Sequence, residues 1–375
     1  MPSRHNSNSS IESSTSLSPL NRPAKKDDTL RKTLIRIVSN PTYHFIIFGI
    51  LMLIVSYLSI NKVIKDIIPY SWHSSFAYTF AFSIASIGFC LLMGYSGLAS
   101  LGTGGFIGIG CYAVHYVMSQ AGLPLIVAIL VAIAVAVVIG LFVGFISLRI
   151  ESIYLVILTL GLSEVLRNIY MVIEDSIYFR NKLSFLGFQF KSSELSYIII
   201  AVLVIVMIIT NNLISSPTGR AMLAMKNSTA AAQAMGISLL KYRLFAFIMC
   251  TVYASVSGVM LMIFARSSMA SNGTGFYALI TSLNILAAVI IGGYKSIWGA
   301  VFGTFVMYGM NTSILQNIEF LSKNPELITI LSGVLVIIIV MFFPGGLAQL
   351  LQELKYKIKK LIAKIREGIY GKDIG

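Results

Sequence analysis

Residues 215–243 read SSPTGRAMLAMKNSTAAAQAMGISLLKYR, a basic, Ala-rich segment between two long apolar stretches, 195–214 and 243–265. A connection between two membrane helices needs only a handful of residues. This one runs to roughly thirty, and its internal signals are helical. Ser216 suits a helix N-cap, Pro217 the first helical position, and Gly236 the residue just past a helix C-terminus. The segment carries Arg220, Lys226, Lys241 and Arg243 and no acidic residue. A capped, cationic connection of this length is a surface for a partner, and the surrounding sequence decides where that surface lies.

Of the 375 residues, 57% are hydrophobic and 11% are charged. A soluble domain carries about 25% charged residues, so an ordinary soluble protein is excluded. The net charge of +14 invites a nucleic-acid partner. The cations, however, gather at 1–42, at 348–375, in the 215–243 segment, and at Arg149 and Lys295 in short turns. Those are the edges of apolar segments, where cations fix membrane orientation, so no nucleic-acid partner is expected. Cys90, Cys111 and Cys250 form no CxxC pair, and His5, His44, His73 and His115 are scattered, so no metal or cofactor is expected. GGYKS (292–296) has a Lys-Ser pair but not the spacing of a phosphate-binding loop. No nucleophile–base or paired-carboxylate arrangement is present either. The chain is therefore read as not an enzyme, and any ATP hydrolysis belongs to another chain.

Taking about 20 apolar residues per membrane span, ten segments qualify: 43–60, 76–93, 104–119, 124–148, 152–173, 195–214, 243–265, 278–294, 297–315 and 326–344. The third and eighth are short and Gly-interrupted, as re-entrant or broken helices are. The expected fold is an all-α polytopic membrane protein with about 8–10 transmembrane helices and both termini cytoplasmic. With that orientation twenty cations fall inside, seven outside, and Arg167 within a span. Residues 1–40, polar and Ser/Asn-rich, read as a disordered basic cytoplasmic tail rather than a signal peptide. Residues 41–347 form the membrane domain. In 348–375 the apolar residues recur at Leu351, Leu354, Ile358, Leu361 and Ile365 between lysines, the pattern of a basic amphipathic helix lying on anionic lipid; a coiled-coil partner is the alternative.

Two features inside the membrane domain carry polar chemistry. GYSGLASLGTGGFIGIGCY (94–112) holds seven glycines in nineteen residues, with hydroxyls at Ser96, Ser100 and Thr103. Such a segment either packs helices tightly or breaks a helix so that backbone groups meet a polar solute. GxxxG at Gly140/Gly144 and at Gly299/Gly303 reads as packing alone. Glu164 and Arg167, three residues apart, share one helix face, with Glu164 roughly 18 Å along from Ser152 and so near mid-membrane. The pair is either a path or gating element, or a self-neutralising packing pair.

These blocks resemble the M-type permease subunit of branched-chain amino acid ABC importers. GYSGLASLGTGGFIGIGCY is similar to that family's GxxGQxSLGHAAFFGIGAY block. LRIESIYLVILTLGLSEVLRNI (148–169) is similar to its LRxxGIYFAIVTLAFGEIIR block, with Glu164 and Arg167 at matching positions. SPTGRAMLAMKNSTAAAQAMGI (216–237) resembles its ATPase-coupling loop, and IGGYKSIWGAVFG and FFPGGL match two further blocks. The resemblance spans about 45–350 in order. It implies coupling residues Arg220, Ala231, Ala232 and Gly236, and a substrate path through Gly97, Ser100, Thr103, Glu164 and Arg167. It also implies a second permease subunit, two cytoplasmic ATPase subunits and an extracytoplasmic solute-binding protein, in a bacterial cytoplasmic membrane. Leu98 and Thr103 replace the block's Gln and His, which bears on the solute; Thr229 and Gln233 replace the loop's acids, Lys295 a glycine and Ala300 a proline. The implied cargo is a branched-chain or related amino acid. Another small solute such as urea or an amide is an alternative, as is an ion-coupled secondary transporter that uses Glu164.

Overall fold

Within a membrane every backbone polar group has to find a partner in the chain, which makes helices of long apolar segments. A computed structural model describes residues 41–60, 70–147, 152–174, 176–179, 183–185, 188–190, 194–269, 275–310, 325–342, 345–349 and 353. The chain divides into residues 1–44 and 45–375; of the first unit, 41–44 are described and are helical. The expected 1–40 tail and the amphipathic tail, save residues 348, 349 and 353, lie outside the described residues.

The helices are α1 (Pro41–Ile60), α2 (Tyr70–Leu91), α3 (Thr103–Ala113), α4 (Leu125–Ser147), α5 (Ser152–Glu174) and α6 (Leu195–Ser215). They continue with α7 (Pro217–Asn227), α8 (Thr229–Ala234), α9 (Leu239–Ala265), α10 (Leu279–Gly292), α11 (Ile297–Thr304) and α12 (Pro325–Phe342). Wider, π-helical turns extend α2 through Ser96, α3 through Gln120 and α11 through Gly309. Among the described residues, six helices are long and apolar enough to cross a membrane: α1, α2 with its extension, α4, α5, α6 and α9. Of the two segments read as short from their glycines, α10 has 14 residues, whereas α3 has 11 α-helical residues and continues without a gap to Gln120 through its wider turns. Among the described residues, four three-residue strands interrupt the helical pattern. β1 (Ser176–Tyr178) pairs antiparallel with β4 (Ser267–Met269), Ile177 opposite Ser268, and β2 (Leu183–Phe185) pairs with β3 (Phe188–Phe190).

α2 and α9 form the centre: 83% and 78% of their apolar windows are buried, against 22% for α5. Helices in lipid gain little from burying apolar side chains against one another, so close approach of small residues has to hold them. α9 meets α3 through Gly110 and Gly258; a Cβ on Gly110 would overlap the Ser255 carbonyl, and one on Gly258 the Ile107 carbonyl. α4 turns Ala128, Ala132, Ala136, Gly140 and Gly144 inward, one residue every four, while Val138 and Phe142 face out. Along that stripe the Ser255 hydroxyl on α9 donates to the Ala132 carbonyl at 3.1 Å. Gly299 and Gly303 lie against the α10 backbone in the same manner. Both GxxxG pairs are therefore packing seams.

Candidate functional site

Between the end of the α2 extension at Ser96 and the start of α3 at Thr103, the chain is not helical. Gly97 opens this break with φ +74°, a left-handed conformation that glycine takes without strain. Helix ends buried at membrane depth leave backbone amides that need partners. Here hydroxyls from other helices supply them. The Leu101 amide donates to Thr159 Oγ1 at 3.0 Å, Gly104 to Ser282 Oγ at 2.8 Å and Gly105 to Ser163 Oγ at 3.0 Å. The Ser100 hydroxyl accepts locally from the Gly102 amide at 3.2 Å. The Ser96 and Thr103 hydroxyls are buried and make no hydrogen bond within the described residues. The glycines of the block admit close neighbours, and its start is a break whose backbone amides are taken by hydroxyls of the chain's own helices.

α5 serves the break with one face and bears the ion pair beside it. Thr159, Ser163, Leu166 and Tyr170, spaced by three and four, are buried toward α3, and the Tyr170 hydroxyl donates to the Gly105 carbonyl at 2.8 Å. Glu164 and Arg167 lie off that face, with the Arg167 Nε 3.1 Å from both Glu164 carboxylate oxygens. Their side chains are 42% and 22% exposed in the single chain. The five residues expected to form a path therefore do not converge on one point. Ser100 sits in the break, Thr103 begins α3 just after it, and Gly97 sits under a lysine stem at its entry. The ion pair lies on the flank of α5 between its buried face and the exposed Val165 and Val172.

The 215–243 segment folds as two helices rather than one. Ser216 caps α7, accepting from the Gly219 amide at 3.4 Å, with Pro217 at the first position. At Ser228 the backbone turns extended, and the Ser228 hydroxyl caps α8 by accepting from the Ala231 amide at 3.3 Å. The second cap is an ST signal of the same kind as Ser216, hidden by helix formers on both sides. α8 ends in a Gly236 turn with φ +77°, where the Ile237 amide donates to the Ala232 carbonyl at 3.0 Å. Arg220, Ala231 and Gly236 are exposed, as are Thr229 and Gln233, the positions without the resembled acids, and Met235 is 80% exposed. Ala232 is buried and packs on the chain's own body. Arg220 Nη1 also donates to the Ser215 carbonyl at 3.3 Å.

Although Arg220 is the one the resemblance singles out of the four cations of this segment, Lys226 is set apart by its contacts. Its ammonium donates to the carbonyls of Met93 at 3.1 Å and Gly94 at 2.8 Å, at the end of the α2 extension. A signal was available: Lys226 follows the buried pair Met222 and Met225, so its stem leaves α7 on the inner edge.

Residues 73–340 match the family described as branched-chain amino acid transport system, permease component. The chain is 24% identical to the high-affinity branched-chain amino acid transport system permease protein LivM of Escherichia coli over 316 residues, 76% of this chain and 72% of that one. With the LivM protein of Salmonella typhimurium it shares 23% over 299 residues, 72% and 68% of the two chains. With the probable ABC transporter permease protein YphD of Escherichia coli it shares 25% over 189 residues, 49% and 55%. No solved structure matches the chain. A family match over most of its length, together with helices long enough to span a bilayer several times, makes this a multi-pass membrane protein, of the inner membrane in bacteria. The chain belongs to the family of branched-chain amino acid transport system permease components.

Proposed function

We propose that the chain is one membrane subunit of an ATP-driven importer for branched-chain or related amino acids. A second permease subunit completes the path. Two cytoplasmic ATPase subunits grip α7 and α8, and a solute-binding protein delivers cargo to the opposite face. The observation that carries this reading is the α7–α8 unit: two capped helices on a membrane protein, with Ala231, Gln233, Met235 and Gly236 exposed along one segment. A docked, capped element transmits displacement, whereas a flexible loop absorbs it. The twenty-to-seven distribution of cations favours placing this element in the cytoplasm.

Glu164 and Arg167 support a path along the flank of α5. A charged residue at mid-membrane costs about 2.5–3.5 kcal/mol even on the mildest scale. A partly exposed ion pair at that depth is more favourable facing a polar path or a partner subunit than facing lipid tails. The same pairing weighs against an ion-coupled secondary carrier, because a carboxylate held by a guanidinium at 3.1 Å is a poor proton relay. The test is purification of the chain from its native membrane: co-elution of an ATPase supports the assignment, and solute transport by the chain alone down an ion gradient would refute it.

A further inference from the structure

Force delivered to α7 has to reach the membrane helices through particular atoms, and Lys226 offers a direct connection. Its ammonium takes the Met93 and Gly94 carbonyls, which belong to the last turn of the α2 extension. Carbonyls at a helix end lack partners in their own helix, and a cationic donor is the strongest they can receive. The lysine stem crosses Gly97, where a Cβ would stand 3.2 Å from Lys226 Cγ, so the side chain lies directly over the entry to the break. The same ammonium sits 4.4 Å from the centroid of the Tyr294 ring, in the turn between α10 and α11. That turn is also fastened to α2: the Cys90 thiol donates to the Tyr294 carbonyl at 3.2 Å, and the Tyr95 hydroxyl to the Lys295 carbonyl at 3.2 Å. One side chain therefore joins α7, the end of α2 and the α10–α11 turn at the point where the 97–102 break begins.

We propose that Lys226 is a positioning residue for transport, the clasp through which displacement of α7 moves the end of α2 and the break that follows it. This rests on α7–α8 being the element that contacts the ATPase. The clasp is also a charged group under load. Desolvation, and then the nearby charge of Lys295, hold the Lys226 ammonium below the usual lysine range, with Cys90 opposing them. The groups facing it are Cys90 on α2 and Tyr294 and Lys295 on the turn. Raising the pH therefore neutralises Lys226 earlier than an ordinary lysine, while an arginine at the same place keeps its charge.

The experiment compares wild type, Lys226→Met and Lys226→Arg in the full chain, expressed with its partner subunits. It measures membrane abundance, ATPase co-purification, ATP hydrolysis, and uptake of labelled leucine across alkaline pH. Lys226→Met keeps the stem and loses the ammonium. It is expected to retain abundance and ATPase binding while uptake per ATP hydrolysed falls about tenfold or more. Lys226→Arg is expected to restore most of that uptake and to extend it to higher pH than wild type. Wild-type uptake per ATP in Lys226→Met overturns the proposal, as does a Lys226→Arg variant as poor as Lys226→Met or an unmoved alkaline limb. A wild-type chain that binds no ATPase refutes the importer assignment and the clasp with it. A wild type that binds ATPase beside a fully coupled Lys226→Met refutes the clasp alone.

Discussion

At Gly236 the φ of +77° and the open space around it separate two effects that a substitution usually mixes. A side chain there strains the left-handed turn by about 1–2 kcal/mol but collides with nothing in the body of the protein. Gly236→Asp is expected to leave the chain in the membrane at close to normal abundance and to abolish uptake, read by immunoblot beside a transport assay. The Glu164–Arg167 pair gives a second test at this scale. Glu164→Leu removes the carboxylate that faces the Arg167 guanidinium at 3.1 Å and is expected to lower the amount of inserted chain. Adding Arg167→Leu is expected to restore insertion but not uptake; recovered uptake in the double variant would assign the pair to packing. Both features were readable from sequence, one from helical spacing and the other from the position of a glycine after a helical run. For Lys226 the local spacing from Met222 and Met225 gave at most the side of α7 its stem leaves from, while its partners are carbonyls more than a hundred residues earlier in the chain, which no local pattern encodes.

The elements α3, α7 and α8 were legible as helices, but their joints were not. Two caps, Ser216 and Gly236, bounded what reads as one helical unit, and Ser228 divides it. Helix formers on either side outweigh a single serine in any local reading, while in the folded chain the serine side chain replaces the missing backbone partners. Ser228→Ala removes that cap at a cost of about 1 kcal/mol. Faster proteolysis at the α7–α8 corner with unchanged membrane abundance is the expected result. The start of α3 depends on distant hydroxyls in the same way, from Ser163 on α5 and Ser282 on α10. The glycine seam between α3 and α9 is less tolerant. Gly258→Leu drives a side chain into the Ile107 backbone, so the chain should fail to accumulate in the membrane at all. Normal accumulation of that variant would mean the two helices lie farther apart than described.

For the molecule as a whole, composition and span length were enough to announce a polytopic helical protein, because a bilayer leaves few other ways to satisfy the backbone. Ordered motif blocks carried the family. Which helices sit at the centre was not legible, since α4 is the most uniformly apolar of the long helices and yet lies at the edge, while α2 and α9, richer in hydroxyl residues, are enclosed. In a membrane the inward face is chosen by closeness of fit rather than by hydrophobicity. The central claim, that transport through this chain is driven by ATP hydrolysed on a partner bound at α7 and α8, is tested most directly in proteoliposomes. These would carry the purified complex, with its solute-binding protein and labelled leucine on one side and ATP on the other. Accumulation of leucine against its gradient that requires ATP, and that disappears with Gly236→Asp while the complex stays assembled, is the predicted result; ATP-independent accumulation driven by an ion gradient would contradict it.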